Sequence, residues 1–270
     1  MVYLEHFKLE KFPFALVPNT GLYYHLPEHQ GALNVILIGL KNGEGFIKII
    51  GEVGTGKTLL CRKVLNALNH DYITAYIPIP DLSPENFKLV LAKELGIEVQ
   101  QTDHAGLVLD KLQKKLIDVN AQGKKLVVLI DEAQAMPDES LETLRLLSNI
   151  EAETHKLMHV ILFAQPELDE RLKKKHLRQF HQRIAFSHYL KILSFGEMKE
   201  YIRFRILKSG SMQYDLFHRS CMRLLFKYSG GIPRVVNTLC HKALLSAYGR
   251  GADYVQKKDM VLAVRDGIQA

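Results

Sequence analysis

Gly51-Glu52-Val53-Gly54-Thr55-Gly56-Lys57-Thr58 decides how this chain is read, because it satisfies the P-loop pattern G-x-x-x-x-G-K-[ST] at every fixed position. The residue types are those that phosphate binding needs. Gly51, Gly54 and Gly56 let the backbone turn its N–H groups inward around phosphate oxygens, where a side chain would block the approach. Lys57 can reach the β- and γ-phosphates of ATP, and the Thr58 hydroxyl can bind Mg²⁺. A helix starting at about Gly56 and running on through Leu59 adds the positive end of its dipole to the same anion site. The flanks agree: Phe46 to Ile50 reads as a short buried strand, and Leu59 to Leu68 as a helix with Leu60, Val64 and Leu68 on one face. A chance glycine-rich turn would have neither flank.

A second motif follows downstream. Leu126-Val-Val-Leu-Ile130 runs into Asp131-Glu132, an apolar strand that ends in two carboxylates. Such a continuous run suits a strand buried on both faces of a parallel sheet, whose carboxyl end is where open α/β sheets place ligands. Asp131 would hold the Mg²⁺ shell and Glu132 would polarise the attacking water. A core strand with a solvated acidic end explains one motif alone, but not two in this order. A metabolite kinase can share the P-loop and Asp131, whereas an adjacent glutamate placed for water favours hydrolysis.

At 270 residues the chain has room for one large and one small domain, and the expected division is 1–190 and 191–270. The strand candidates alternate with helices: Phe46 to Ile50, Tyr72 to Ile77, Leu126 to Ile130, His159 to Phe163 and Ile184 to Tyr189. Ser83-Pro84 opens a helix that stops at Gly96; a second runs from His104 to Ala121; a third, after Pro137-Asp138, carries Leu141, Leu144 and Leu147 inward. Past Leu190 the strand signal ends and helices remain. The expected fold is therefore α/β: a five-stranded parallel sheet between helices, followed by a small helical lid. No apolar run is long enough for a membrane helix and Met1 to Glu5 is no signal peptide, so the cytoplasm is the expected location. Cys61, Cys221 and Cys240 form no CxxC pair and read as small buried hydrophobes. The net charge of +7 permits an anionic partner without demanding one, since the only tight basic run is Lys173-Lys-Lys-His176.

Three further places carry candidate chemistry. In Ser229-Gly-Gly-Ile-Pro-Arg234 a turn and a proline start a helix, and Arg234 in its first turn can either touch a γ-phosphate or sit in a surface salt bridge. Arg178 and Arg183 flank the start of the last strand, where an arginine can project into a neighbouring subunit's nucleotide site or simply belong to a basic surface. Gln165, at the tip of the fourth strand, is a neutral polar group where a water-orienting residue would sit.

Together Gly51 to Thr58, the Asp131-Glu-Ala-Gln134 box, Leu144 to Glu151, Gln165-Pro-Glu-Leu168 and Gly230-Gly-Ile-Pro-Arg234 resemble the AAA+ ATPases of the general secretion pathway protein A (ExeA) family. Phe12-Pro-Phe14, Pro18 and the His29 to Leu33 stretch also fit, so the resemblance covers nearly the whole chain. Ala164 stands where the family usually has glycine. Members with a secretion role continue into a membrane helix and a peptidoglycan-binding domain. This sequence stops at Ala270, which makes it most similar to the short members that accompany MSHA-type pili, the MshM proteins.

The resemblance implies a bacterial ATPase that helps assemble an envelope machine, either an MSHA-type type IV pilus or a type II secretion system. The protein would form an ATP-dependent homo-oligomer and reach the inner membrane peripherally, through a partner protein. Carried over at matching positions, Lys57 and Thr58 bind phosphate and Mg²⁺, Asp131 holds the metal, Glu132 activates water, Gln165 is sensor 1 and Arg234 is sensor 2. Arg183 ranks ahead of Arg178 as the finger. Two other classes stay open: a DNA-dependent ATPase of the transposition-helper type, not favoured, and a nucleotide-gated scaffold with little turnover.

Overall fold

The structure is a computed structural model that describes residues 3–15, 21, 24, 26–68, 70–150, 156–211 and 215–268. The chain divides into two compact units. One gathers Pro27–Glu52 and Leu60–Leu190; the other gathers Met1–Leu26, Val53–Leu59 and Lys191–Ala270.

The first unit is built on five parallel strands: β1 (Phe46–Gly51), β2 (Tyr72–Ile77), β3 (Lys125–Ile130), β4 (Met158–Ala164) and β5 (Ile184–Leu190), in the order β2-β3-β4-β1-β5. The three central strands are buried almost throughout, and β2 and β5 at the edges only in part. That is why the central strands read as unbroken apolar runs. Alternate residues serve opposite faces. Phe46, Ile50, Val128, Ile130, Val160 and Leu162 pack on one side beneath α3 (Pro84–Glu94), α4 (Ala105–Ala121), α5 (Asp138–Leu147), α6 (Glu167–Leu172) and α7 (Arg178–His181). Ile47, Ile49, Val127, Leu129, Ile161 and Phe163 pack on the other, beneath α1 (Pro27–Lys41) and the part of α2 (Lys57–Ala67) that starts at Leu60. The expected strands and helices are found with ends moved by one or two residues. Ser83 caps α3, its hydroxyl accepting from the Asn86 amide at 3.3 Å.

Helix α1 was not read from the sequence. Its glycines explain both the difficulty and the packing: a Cβ on Gly39 would come within 2.6 Å of the Ile47 side chain, and one on Gly31 within 3.1 Å of the His188 ring. Residues that weaken a helix on propensity let this one lie close against the sheet.

The second unit holds α8 (Phe195–Lys208), α9 (Arg219–Ser229), α10 (Pro233–Gly249) and α11 (Lys257–Ile268). It takes in Lys191–Ala270 together with Val53–Leu59 and the N-terminal residues through Leu26, which the expected division at 1–190 places with the sheet. The reason is burial: Tyr3, Leu4, Phe7, Leu9 and Phe14 share one core with Ile202, Leu225, Val236 and Leu244. Polar ties fix the segment: the Tyr3 hydroxyl meets His241 Nδ1 at 2.8 Å, and Arg205 Nε donates to the Pro13 carbonyl at 2.5 Å. The three cysteines are buried and unpaired with one another.

Candidate active site

Strand β1 ends at Gly51, β3 runs into Asp131 and β4 into Gln165, and these three strands are neighbours in the sheet. In register, Ile130 lies beside Leu162 and Ile50 beside Ala164. The sheet thus brings the start of the P-loop, Asp131 and Gln165 to one carboxyl-terminal edge.

Asp131 is 3% exposed, and its Oδ1 accepts from the Glu132 amide at 3.0 Å. Its charge is felt locally: burial first, and then Cys61 and Asp131, push the Tyr76 hydroxyl up to about 12, and Asp131 adds to the effect of burial that raises the Cys61 thiol. Neither side chain carries charge at neutral pH.

Glu132 has φ 50° and ψ 38°, the left-handed region, which for a residue with a Cβ costs about 1–2 kcal/mol. Such backbone persists only where neighbouring contacts over-determine it. Those contacts are present. Glu132 Oε2 accepts from Gln134 Nε2 at 2.5 Å and from Gln165 Nε2 at 2.9 Å, and the Gln165 amide donates to Gln134 Oε1 at 3.0 Å. Arg171 of α6 then braces the loop after β3, donating to the carbonyls of Gln134 at 2.6 Å and Met136 at 2.7 Å and pairing with Asp138. Burial alone would raise the Asp138 carboxyl, but hydrogen bonds from Arg171 and His176 hold it below its ordinary value. The sequence alone assigns neither residue a role: Gln134 lies in the Asp131-Glu-Ala-Gln134 box without a chemistry of its own, and Arg171 lies in the charged stretch Asp169-Glu-Arg171, which carries no signal.

In the other unit, Gly54 and Gly56 take φ of 82° and 100°, so the chain needs glycine at both points. Lys57 opens α2, is 4% exposed, and is followed in the first turn by Thr58. That turn contains no acidic residue, which leaves the positive helix end suited to an anion. Gly54 has a second reason to be glycine: its carbonyl accepts from the Arg234 amide at 3.2 Å, and an added Cβ would meet Arg234 Cβ at 2.7 Å. The Ser229 to Arg234 turn therefore delivers the start of α10 onto the P-loop backbone. The Arg234 side chain is exposed, and among the described residues no carboxylate pairs with it.

Arg178 is exposed at the start of α7, and Arg183 is half-buried before β5. The Arg183 charge reaches Glu142 of α5, whose carboxyl is held low first by its hydrogen bonds from Arg145 and in smaller part by Arg183. Pro18 and Glu151 lie outside the described residues.

Residues 40–172 match the AAA domain family. The fold is a P-loop AAA fold. The chain is 37% identical over 262 residues to General secretion pathway protein A of Aeromonas hydrophila, which accounts for 97% of this chain and 48% of that protein. It thus spans about half the length of the curated relative it matches. The structure is similar to that of Cdc6p from Pyrobaculum aerophilum, with a TM-score of 0.74 at 15% identity, covering 94% of this chain and 70% of that one. The Aeropyrum pernix ORC1 protein, solved in complex with DNA, aligns with a TM-score of 0.70 at 17% identity over 97% of this chain and 70% of its own. At these identities the likeness is one of fold.

Proposed function

We propose that this chain binds ATP with Mg²⁺ and hydrolyses it to drive the assembly of a bacterial envelope machine. The observation that carries the ATPase reading is the Glu132 carboxylate, held beside Asp131 at the sheet's carboxyl edge by two glutamine amides. Lys57 and the P-loop N–H groups bind the phosphates. The donor chemistry fits Mg²⁺: Asp131 offers carboxylate oxygen and Thr58 a hydroxyl, and among the described residues there is no cluster of three or more His, Cys, Asp or Glu that would make an all-protein cage. The metal, when bound, neutralises charge on the phosphates. Glu132 accepts a proton from water as the water oxygen attacks the γ-phosphorus; the bond from that phosphorus to the bridging oxygen breaks, and ADP keeps the bridging oxygen and its electron pair. Gln165 contacts the γ-phosphate, Arg234 reports it from α10, and Arg183 of a second copy completes the charge neutralisation, so the working form is an ATP-dependent homo-oligomer.

The envelope role rests on the 37% identity to General secretion pathway protein A. The machine would be an MSHA-type type IV pilus or a type II secretion system, with contact to the inner membrane through a partner; among the described residues no helix is long and apolar enough to cross a membrane. DNA stimulation is the second reading, prompted by the DNA-bound fold neighbour. The basic run is weakened for this by acidic neighbours only at two of its four residues, Lys173 beside Glu170 and His176 beside Asp138. ATP turnover by the purified protein, alone, with duplex DNA and with membrane fractions, tests the proposal. Binding without turnover in all three arms refutes the ATPase reading, and stimulation by DNA alone favours the second.

A further inference from the structure

Gln134 uses both ends of its side-chain amide. Its Oε1 accepts from the backbone N–H of Gln165 at 3.0 Å, and its Nε2 donates to Glu132 Oε2 at 2.5 Å. A backbone N–H can only donate, so the oxygen of the amide must face Gln165 and the nitrogen must face Glu132. The Gln165 side chain then donates to the same Oε2 at 2.9 Å. Three residues from the ends of two neighbouring strands close a ring around one carboxylate oxygen. The Gln134 backbone cannot drift, because Arg171 holds its carbonyl at 2.6 Å and that of Met136 at 2.7 Å.

We propose that Gln134 is a positioning residue for ATP hydrolysis: it fixes the plane of the Glu132 carboxylate and registers it to Gln165, so that base and γ-phosphate contact act on one water. This rests on the reading of Glu132 as the base. The chemistry suits the task. A general base must stand within hydrogen-bond reach of the proton it takes, and a glutamate on three rotatable bonds reaches many positions. A neutral amide removes that freedom without neutralising the base, as a lysine or arginine at position 134 would. Gln134 acts through Glu132, whose Oε2 it contacts.

The test is steady-state hydrolysis by the full chain, with ATP affinity measured separately by calorimetry. Gln134→Ala should lower kcat roughly 10- to 100-fold, the order expected when a reacting group is misplaced by about 1 Å, while ATP affinity stays within about two-fold. In a Glu132→Gln background the same Gln134→Ala change should lower the residual kcat by less than about two-fold, because its effect passes through the Glu132 carboxylate. A residue that merely supported the loop would cost the same factor in both backgrounds. An unchanged kcat in Gln134→Ala, or an equal loss in the two backgrounds, overturns this proposal alone. A wild-type protein that binds ATP without hydrolysing it overturns the ATPase reading and this proposal with it.

Discussion

Gly230 and Gly231 are adjacent, both have positive φ, and their alanine variants should differ severalfold in cost. At Gly230, the residue that closes α9, φ is 57° and an added Cβ meets nothing within 4 Å. Gly230→Ala then costs only the left-handed backbone term, about 1–2 kcal/mol, offset by roughly 0.4–1 kcal/mol because alanine restricts the unfolded chain. At Gly231 φ is 75°, so those two terms recur, but an added Cβ would stand 2.1 Å from the Leu193 carbonyl oxygen and 3.1 Å from its carbon. Backbone cannot rotate aside as a side-chain tip can. Relieving the overlap costs about 1–3 kcal/mol and moves apart the Leu193 amide and the Gly231 carbonyl, now bonded at 2.9 Å, for about 1 kcal/mol more. Gly231→Ala should therefore be less stable than Gly230→Ala by about 2–4 kcal/mol. Urea denaturation followed by circular dichroism measures both. Unfolding free energies within about 0.5 kcal/mol of each other, at unchanged slope, would show that Leu193 yields freely and that the close approach does not set the start of α10.

Lys57→Ala should abolish tight ATP binding in calorimetry while leaving the unfolding curve near wild type; normal affinity would defeat the P-loop reading. Glu132→Gln should bind ATP and barely turn it over. Arg183→Ala should lose turnover by up to the ~10³- to 10⁵-fold that a finger in trans supplies, and mixing it with Glu132→Gln should restore some activity; no recovery at any ratio argues against sharing between subunits. Asp259 is fully buried and accepts from Ser246, twice from Arg250, and from the Gln256 amide, so Asp259→Ala should destabilise by about 3 kcal/mol, toward the lower end for a broken buried pair because Arg250 can rehydrate. Burial raises the Asp259 carboxyl, but these bonds outweigh it and hold the group below its ordinary value. With the folded value lowered, the contribution is full above the unfolded value of about 3.9 and is lost as pH falls through the folded one. Asp259→Asn should flatten the acid limb of the stability profile and leave its neutral part parallel to wild type.

The parts of the fold legible in the sequence are those in which one physical demand acts on consecutive residues. Strands β1, β3 and β4 are buried on both faces, so nearly every residue is apolar and the run is visible by itself. Lys48 and His159 are buried exceptions; Lys48 puts a charge in the middle of β1, and its partner, Asp169 of α6, is too distant in sequence for any local pattern to record. Helix α1 satisfied a demand on close packing that runs against propensity, so Gly31 and Gly39 concealed it. The N-terminal segment was illegible for another reason: Tyr3, Phe7 and Phe14 are buried by residues more than 180 positions away, such as Ile202 and Leu244, and no local pattern records that.

The candidate site divides along the same line. Glycine, lysine, threonine and two carboxylates are needed at fixed spacing along one stretch of chain, which is what makes them motifs. What holds Glu132 in place has no such spacing, because its partners arrive from the ends of two strands and from α6. A left-handed glutamate would relax if its side chain were free to turn; here Gln134, Gln165 and Arg171 fix the loop from three directions. The strain at Glu132 and the ring of amides around it are therefore one feature. Removing any member should loosen the carboxylate before it loosens the fold, since Ala133 and Met136 still anchor the loop in the core on that face of the sheet.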